Sequence, residues 1–166
     1  MPLAITLFRL FLIVPTLFAL ELEKRLLAGF FVLLAGVSDW LDGDLARKKG
    51  KVSQVGALLD PLVDKVFVLS VLSFFLYKQE VSLVIFLLLL FRELSISFLR
   101  SIAVEKGYLM SASYIGKAKA FFEFLALFAL ALKLGVAKLL LWFSVFLAYL
   151  SMYDYVVKYF KYQDRR

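Results

Sequence analysis

Apolar runs broken by short polar links recur along the whole chain. About 20 apolar residues cross a bilayer, and shorter runs suffice where an end meets the interface or a protein cavity. By that measure the pattern predicts six helices, over 3–21, 26–43, 56–77, 81–104, 114–133 and 136–160. The links at 21–25, 77–80 and 133–135 are short, as antiparallel neighbours require. The first run has no basic segment ahead of it and no small-residue cleavage site behind it, so it reads as a retained helix. The expected fold is all-α, a polytopic membrane protein with six transmembrane helices forming a single integral membrane domain over 1–166.

Composition sharpens this picture. Hydrophobic residues make up 63% of the chain, against about 45–50% in a soluble domain. The net charge of +7 would suit nucleic acid or the anionic face of a membrane. No basic stripe interleaved with aromatics appears, which leaves membrane lipids and excludes nucleic acid as the partner. The basic residues are also unevenly placed. Arg47, Lys48, Lys49, Lys51, Arg100, Lys106, Lys117, Lys119, Lys158, Lys161, Arg165 and Arg166 fall on one side of the expected bundle, and Lys24, Arg25, Lys78, Lys133 and Lys138 on the other. By the positive-inside bias the first group faces the cytoplasm, together with both termini. Localisation in the inner, cytoplasmic membrane follows.

His and Cys are absent, so imidazole bases, thiolate nucleophiles and soft metal sites are excluded. The chemistry must rest on carboxylates, cationic side chains, hydroxyls and hard metals. The acids that matter lie in Ser38-Asp39-Trp40-Leu41-Asp42-Gly43-Asp44-Leu45-Ala46-Arg47 and in Gly56-Ala57-Leu58-Leu59-Asp60-Pro61-Leu62-Val63-Asp64. Asp39 and Asp42 are spaced i,i+3 and Asp60 and Asp64 i,i+4, so each pair shares a helix face. If the second and third helices pack side by side, the four carboxylates converge. Together they need counter-charge, because mutual repulsion opposes ionisation. All-oxygen ligands select a hard divalent ion, Mg2+ or Mn2+.

A blander reading makes Asp39, Asp42 and Asp44 solvated groups at a helix end, paired with Arg47, Lys48 and Lys49. It fails for Asp60 and Asp64, since an unpaired charge within an apolar span costs roughly 2.5–3.5 kcal/mol at the centre. An Asp64–Lys65 ion pair would still leave Asp60 unexplained. Gly43 and Gly56 allow close approach by a nucleotide or simply by a neighbouring helix. Pro61 predicts a helix start or a kink.

Written out from Asp39 to Asp64, the stretch reads D-x-x-D-G-x-x-A-R-x8-G-x-x-x-D-x-x-x-D. It resembles, at every fixed position, the signature of the CDP-alcohol phosphatidyltransferase family. Thr6-Leu7-Phe8-Arg9, Arg92-Glu93-Leu94-Ser95-Ile96-Ser97, Leu99-Arg100 and Tyr114-Ile115-Gly116-Lys117-Ala118-Lys119 further resemble the bacterial members that use glycerol 3-phosphate as acceptor. The resemblance implies that Asp39, Asp42 and Asp60 ligate two divalent ions, with Asp64 a ligand of one of them and the general base. It implies that Thr6, Gly43, Ala46, Arg47 and Gly56 contact the CDP-diacylglycerol. A six-helix fold and a homodimer are implied in the same way. Many members carry Asn three residues before the Thr of the first span, where this chain has Leu3.

For the acceptor phosphate the expectation is a clamp of Arg92, Arg100 and Lys117. Arg92 interrupts the run Leu87–Phe91 and so faces a polar cavity. The alternative for Arg92 is an ion pair with Glu93 or Glu123, and for Arg100 and Lys117 an interfacial anchor. Competing functions are a sibling transferase taking inositol phosphate or serine, and a cation transporter. The transporter ranks far lower, because no internal repeat is visible and the acids lie toward a basic loop.

Overall fold

The computed structural model describes residues 2–49, 54–108, 110 and 113–163, apart from the side chains of 2–6, 39–49, 54–62 and 64. Six α-helices and no strand are found among the described residues: α1 Pro2–Glu21, α2 Arg25–Lys49, α3 Gln54–Tyr77, α4 Leu83–Glu105, α5 Tyr114–Ala131 and α6 Ala137–Gln163. The all-helical expectation holds. Helix α2 runs past the expected boundary at 43, because Leu45, Ala46, Arg47 and Lys48 propagate a helix well although they end the apolar run. Helix α3 is already running at Pro61, which is therefore not its start; a proline there leaves the Ala57 carbonyl without an i+4 donor.

The described turns after α1, α3, α4 and α5 are built to one plan. After α1, Lys24 N donates to Ala19 O (2.8 Å) and Glu23 N to Leu20 O (3.1 Å). After α3, Glu80 N and Gln79 N donate to Phe75 O and Leu76 O, and after α5, Leu134 N and Lys133 N donate to Ala129 O and Leu130 O. These are paired 6→1 and 5→2 bonds, which satisfy carbonyls that the helix end leaves open. The motif requires a left-handed residue, and Glu23, Gln79 and Lys133 sit at φ 56°, 60° and 53°. Helix α4 ends in the same way, but with Gly107 at φ 77° in the left-handed position. Ion pairs Arg25–Glu80 (3.1 Å) and Lys78–Glu21 (3.0 Å) join the first two of these turns at one end of the bundle.

Helix α1 packs on both α2 and α3, α5 also packs on both, and α6 lies against α4 and α5. Gly29 and Gly36, seven residues apart, let α5 approach α2: a Cβ on Gly36 would lie 3.2 Å from Phe124, and one on Gly29 would lie 3.3 Å from Phe128 and Leu132. Leu20, Val32, Phe67, Val71, Phe75, Leu89, Leu127 and Leu141 fill the centre. The exterior is apolar too. Phe11, Val14, Phe18, Leu26, Phe98 and Leu139 are between 65 and 82% exposed, on faces where a protein in water carries charge. Among the described residues α6 alone is long and apolar enough to cross a membrane by length and composition; Arg25–Ser38 and Lys65–Tyr77 are shorter apolar stretches. Helices α4 and α5 are interrupted by charges that turn inward.

Candidate active site

The acidic motif is divided between two helices. Asp39, Asp42, Gly43, Ala46 and Arg47 belong to the C-terminal half of α2, and Gly56, Asp60 and Asp64 to the N-terminal half of α3. Their side chains, and that of Thr6 near the start of α1, lie outside the described residues, so the expected metal and CDP-lipid contacts fall there too. Among the described residues no three acids gather to hold a metal.

The residues flanking the motif are firmly held. Ser38, immediately before Asp39, accepts from Arg9 Nε of α1 at 3.3 Å and donates to Ala35 O at 2.7 Å. Both Arg9 and Ser38 are buried. Lys65, immediately after Asp64, reaches across to α4, donating to Ser97 Oγ and to Glu93 O (3.3 Å) and pairing with Glu93 Oε2 (3.4 Å). Lys65, weighed in the sequence as a partner for Asp64, has Glu93 as its described ion-pair partner.

Glu93 is the hub of a buried network. Its Oε1 accepts from Arg92 Nη1 (2.6 Å) and from Lys119 Nζ, and Lys119 also pairs with Glu123 Oε2 (2.5 Å). Arg92 spends its remaining nitrogens on α6, with Nε donating to Ala148 O (3.1 Å) and Nη2 to Ser151 Oγ. Lys65, Arg92 and Lys119 thus face the two carboxylates of Glu93 and Glu123, and the network unites α3, α4, α5 and α6. Burying these charges is tolerable because each has a partner; removing one partner would leave another uncompensated. The ion-pair alternative for Arg92 is the arrangement observed.

Arg100, two turns further along α4, is placed differently. Among the described residues its engagement is through Nη2, which donates to Tyr155 Oη of α6 at 3.0 Å, with the guanidinium 5.0 Å from the Tyr155 ring centroid. Its Nε is buried with no hydrogen-bond partner among the described residues. Lys117 stands exposed in the first turn of α5, with Nζ 5.5 Å from the Tyr114 ring centroid. Arg100 meets the start of α5 through Tyr155, whose hydroxyl also accepts from Ser113 N (3.1 Å), whereas Arg92 is tied into the network nearer the centre of α4. Sequence reasoning had not singled out Tyr155, Ser151 or Ser97. The i,i+4 spacing of Lys119 and Glu123 was the available signal for the network, but neither residue reveals from sequence which neighbour it meets.

Residues 1–150 match the sequence profile of the CDP-alcohol phosphatidyltransferase family, and the chain belongs to that family. The family is membrane-associated and in general dependent on divalent metal, and the chain is accordingly a transferase of phospholipid biosynthesis. Among its relatives, a protein of Wigglesworthia glossinidia brevipalpis is 36% identical over 93% of this chain and 91% of its own length. One from Haemophilus influenzae is 33% identical over 93% and 90%, and one from Bacillus subtilis 29% identical over 81% and 74%. All three are named CDP-diacylglycerol–glycerol-3-phosphate 3-phosphatidyltransferase.

Proposed function

We propose that this chain transfers the phosphatidyl group of CDP-diacylglycerol to sn-glycerol 3-phosphate, giving phosphatidylglycerophosphate and CMP. The observation that carries this reading is the complete acidic signature, shared between α2 and α3, in a chain that matches the family over residues 1–150. The setting is a six-span single domain in the cytoplasmic membrane, its acidic end facing the cytoplasm, working as a homodimer among membrane lipids. The apolar exterior and the inward charges of α4 and α5 support the membrane setting.

An all-oxygen donor set in a chain without His or Cys fits Mg2+ or Mn2+. Asp39, Asp42, Asp60 and Asp64 would hold two such ions, which when bound offset the charge of the diphosphate. Thr6, Gly43, Ala46, Arg47 and Gly56 receive the CDP moiety. Asp64 takes the proton from the acceptor hydroxyl, whose oxygen bonds to the lipid-bearing phosphorus. The diphosphate bond breaks and CMP leaves with the bonding electrons, so no protein nucleophile is needed. Arg100 and Lys117 contact the acceptor phosphate. Arg92, expected beside them, contributes its charge from within the network behind.

The test is purified enzyme with CDP-diacylglycerol and Mg2+, offered glycerol 3-phosphate, inositol phosphate or serine, with product lipids followed by mass. Phosphatidylglycerophosphate should form from glycerol 3-phosphate alone, and Asp64→Asn should stop CMP release in a protein that remains folded in detergent. A product from another alcohol in place of glycerol 3-phosphate would overturn the acceptor assignment.

A further inference from the structure

The α4–α5 connection is fastened to α6 by three tyrosines spaced four and three residues apart, which places them on one helix face. Tyr162 Oη donates to Lys106 O (3.2 Å), and its ring stacks on Tyr108 with centroids 4.2 Å apart and planes 9° from parallel. Tyr159 Oη accepts from Lys106 Nζ at 2.8 Å. Tyr155, 3% exposed, is the innermost of the three and differs from the others in what it joins. Its oxygen accepts at once from Arg100 Nη2 (3.0 Å) and from the backbone N–H of Ser113 (3.1 Å).

Ser113 is the N-cap of α5. Its Oγ accepts from Gly116 N (3.0 Å) and its carbonyl from Lys117 N (3.1 Å). One phenolic oxygen therefore touches Arg100 directly and the cap that sets the first turn of α5, where Lys117 stands. Space around it is tight: a Cβ on Gly116 would lie 3.1 Å from Ser113 Oγ and 3.3 Å from Tyr155 Oη. A phenol has two acceptor lone pairs, and both are used here. Arg92 is held at all three guanidinium nitrogens by other groups, whereas among the described residues Arg100 is held at one edge, and Tyr155 supplies that hold.

We infer that Tyr155 is a positioning residue for acceptor specificity, fixing Arg100 in register with the Lys117 turn so that the two cations present a fixed spacing to a phosphomonoester. The inference rests on the proposed role of Arg100 and Lys117 and adds the group that aligns them. It predicts that losing the hydroxyl weakens only the alcohol phosphate, because the CDP-lipid contacts are assigned to other helices.

The experiment measures KM for glycerol 3-phosphate and for CDP-diacylglycerol, and kcat, in Tyr155→Phe, Arg100→Ala, the double variant and Tyr159→Phe. Tyr155→Phe keeps the ring and should raise the glycerol 3-phosphate KM about tenfold, the scale of one hydrogen bond to a charged group. The KM for CDP-diacylglycerol and kcat should stay within about twofold. The double variant should be no worse than Arg100→Ala alone, as expected for residues acting through one another. Tyr159→Phe, a comparable loss on the same helix face, should leave both KM values unchanged. Equal rises in both KM values, or additive losses in the double variant, would assign Tyr155 a purely structural role. If Arg100→Ala leaves the acceptor KM unaltered, the clamp itself is wrong; if Arg100→Ala raises it and Tyr155→Phe does not, the positioning role alone fails.

Discussion

Glu93 holds Lys65, Arg92 and Lys119 at once, and this residue-level arrangement explains how three cations persist inside an apolar bundle. Each would be costly alone. Taking away the shared carboxylate leaves the cations repelling one another around Glu123. Glu93→Gln should therefore lower stability by about 3–5 kcal/mol, the scale seen when a buried pair loses one partner. The exposed Lys78–Glu21 pair should matter far less, with Lys78→Ala costing under about 1 kcal/mol. Thermal unfolding in detergent measures both, and similar shifts for the two variants would refute the hub role of Glu93. The network was only half legible in the sequence. Arg92 beside Glu93 signalled an ion pair, which forms, but nothing in the sequence placed Lys65 of α3 against Glu93 of α4, 28 residues further along the chain.

At the scale of the helix, four ends use one hydrogen-bonding plan and only α4 gives it a glycine. Nothing lies within 4 Å of a Cβ built on Gly107, so substitution there meets only the backbone penalty of the left-handed region. Gly107→Ala should cost about 1–2 kcal/mol, while Gln79→Gly should relieve strain and raise stability by up to about 1 kcal/mol. Calorimetry on the two variants checks the opposite signs. The helices themselves could be read closely from hydropathy, since each buries an apolar face. Their ends could not, because Leu45–Lys48 and the tyrosine-bearing end of α6 continue as helix after the apolar run has stopped. Of the two expectations for Pro61, a helix start or a kink, the start is excluded because α3 already runs from Gln54.

For the whole molecule, the decisive fact is that α2 and α3 are both packed against α1 and α5, with Ser38 and Lys65 anchored at either border of the acidic motif. The signature could be read directly from sequence, and membership of the family agrees with it. The anchors could not, since Arg9 to Ser38 and Lys65 to Glu93 are contacts between residues far apart in the chain. In the proposed function the acids of the two helices form one hard-cation site. The most direct measurement is electron paramagnetic resonance of Mn2+ titrated into purified protein, with Asp39→Asn on α2 and Asp60→Asn on α3. The unaltered protein should remove free Mn2+ saturably, and either substitution alone should abolish most of that binding. Saturable binding retained at undiminished affinity in either variant would contradict a site shared between the two helices.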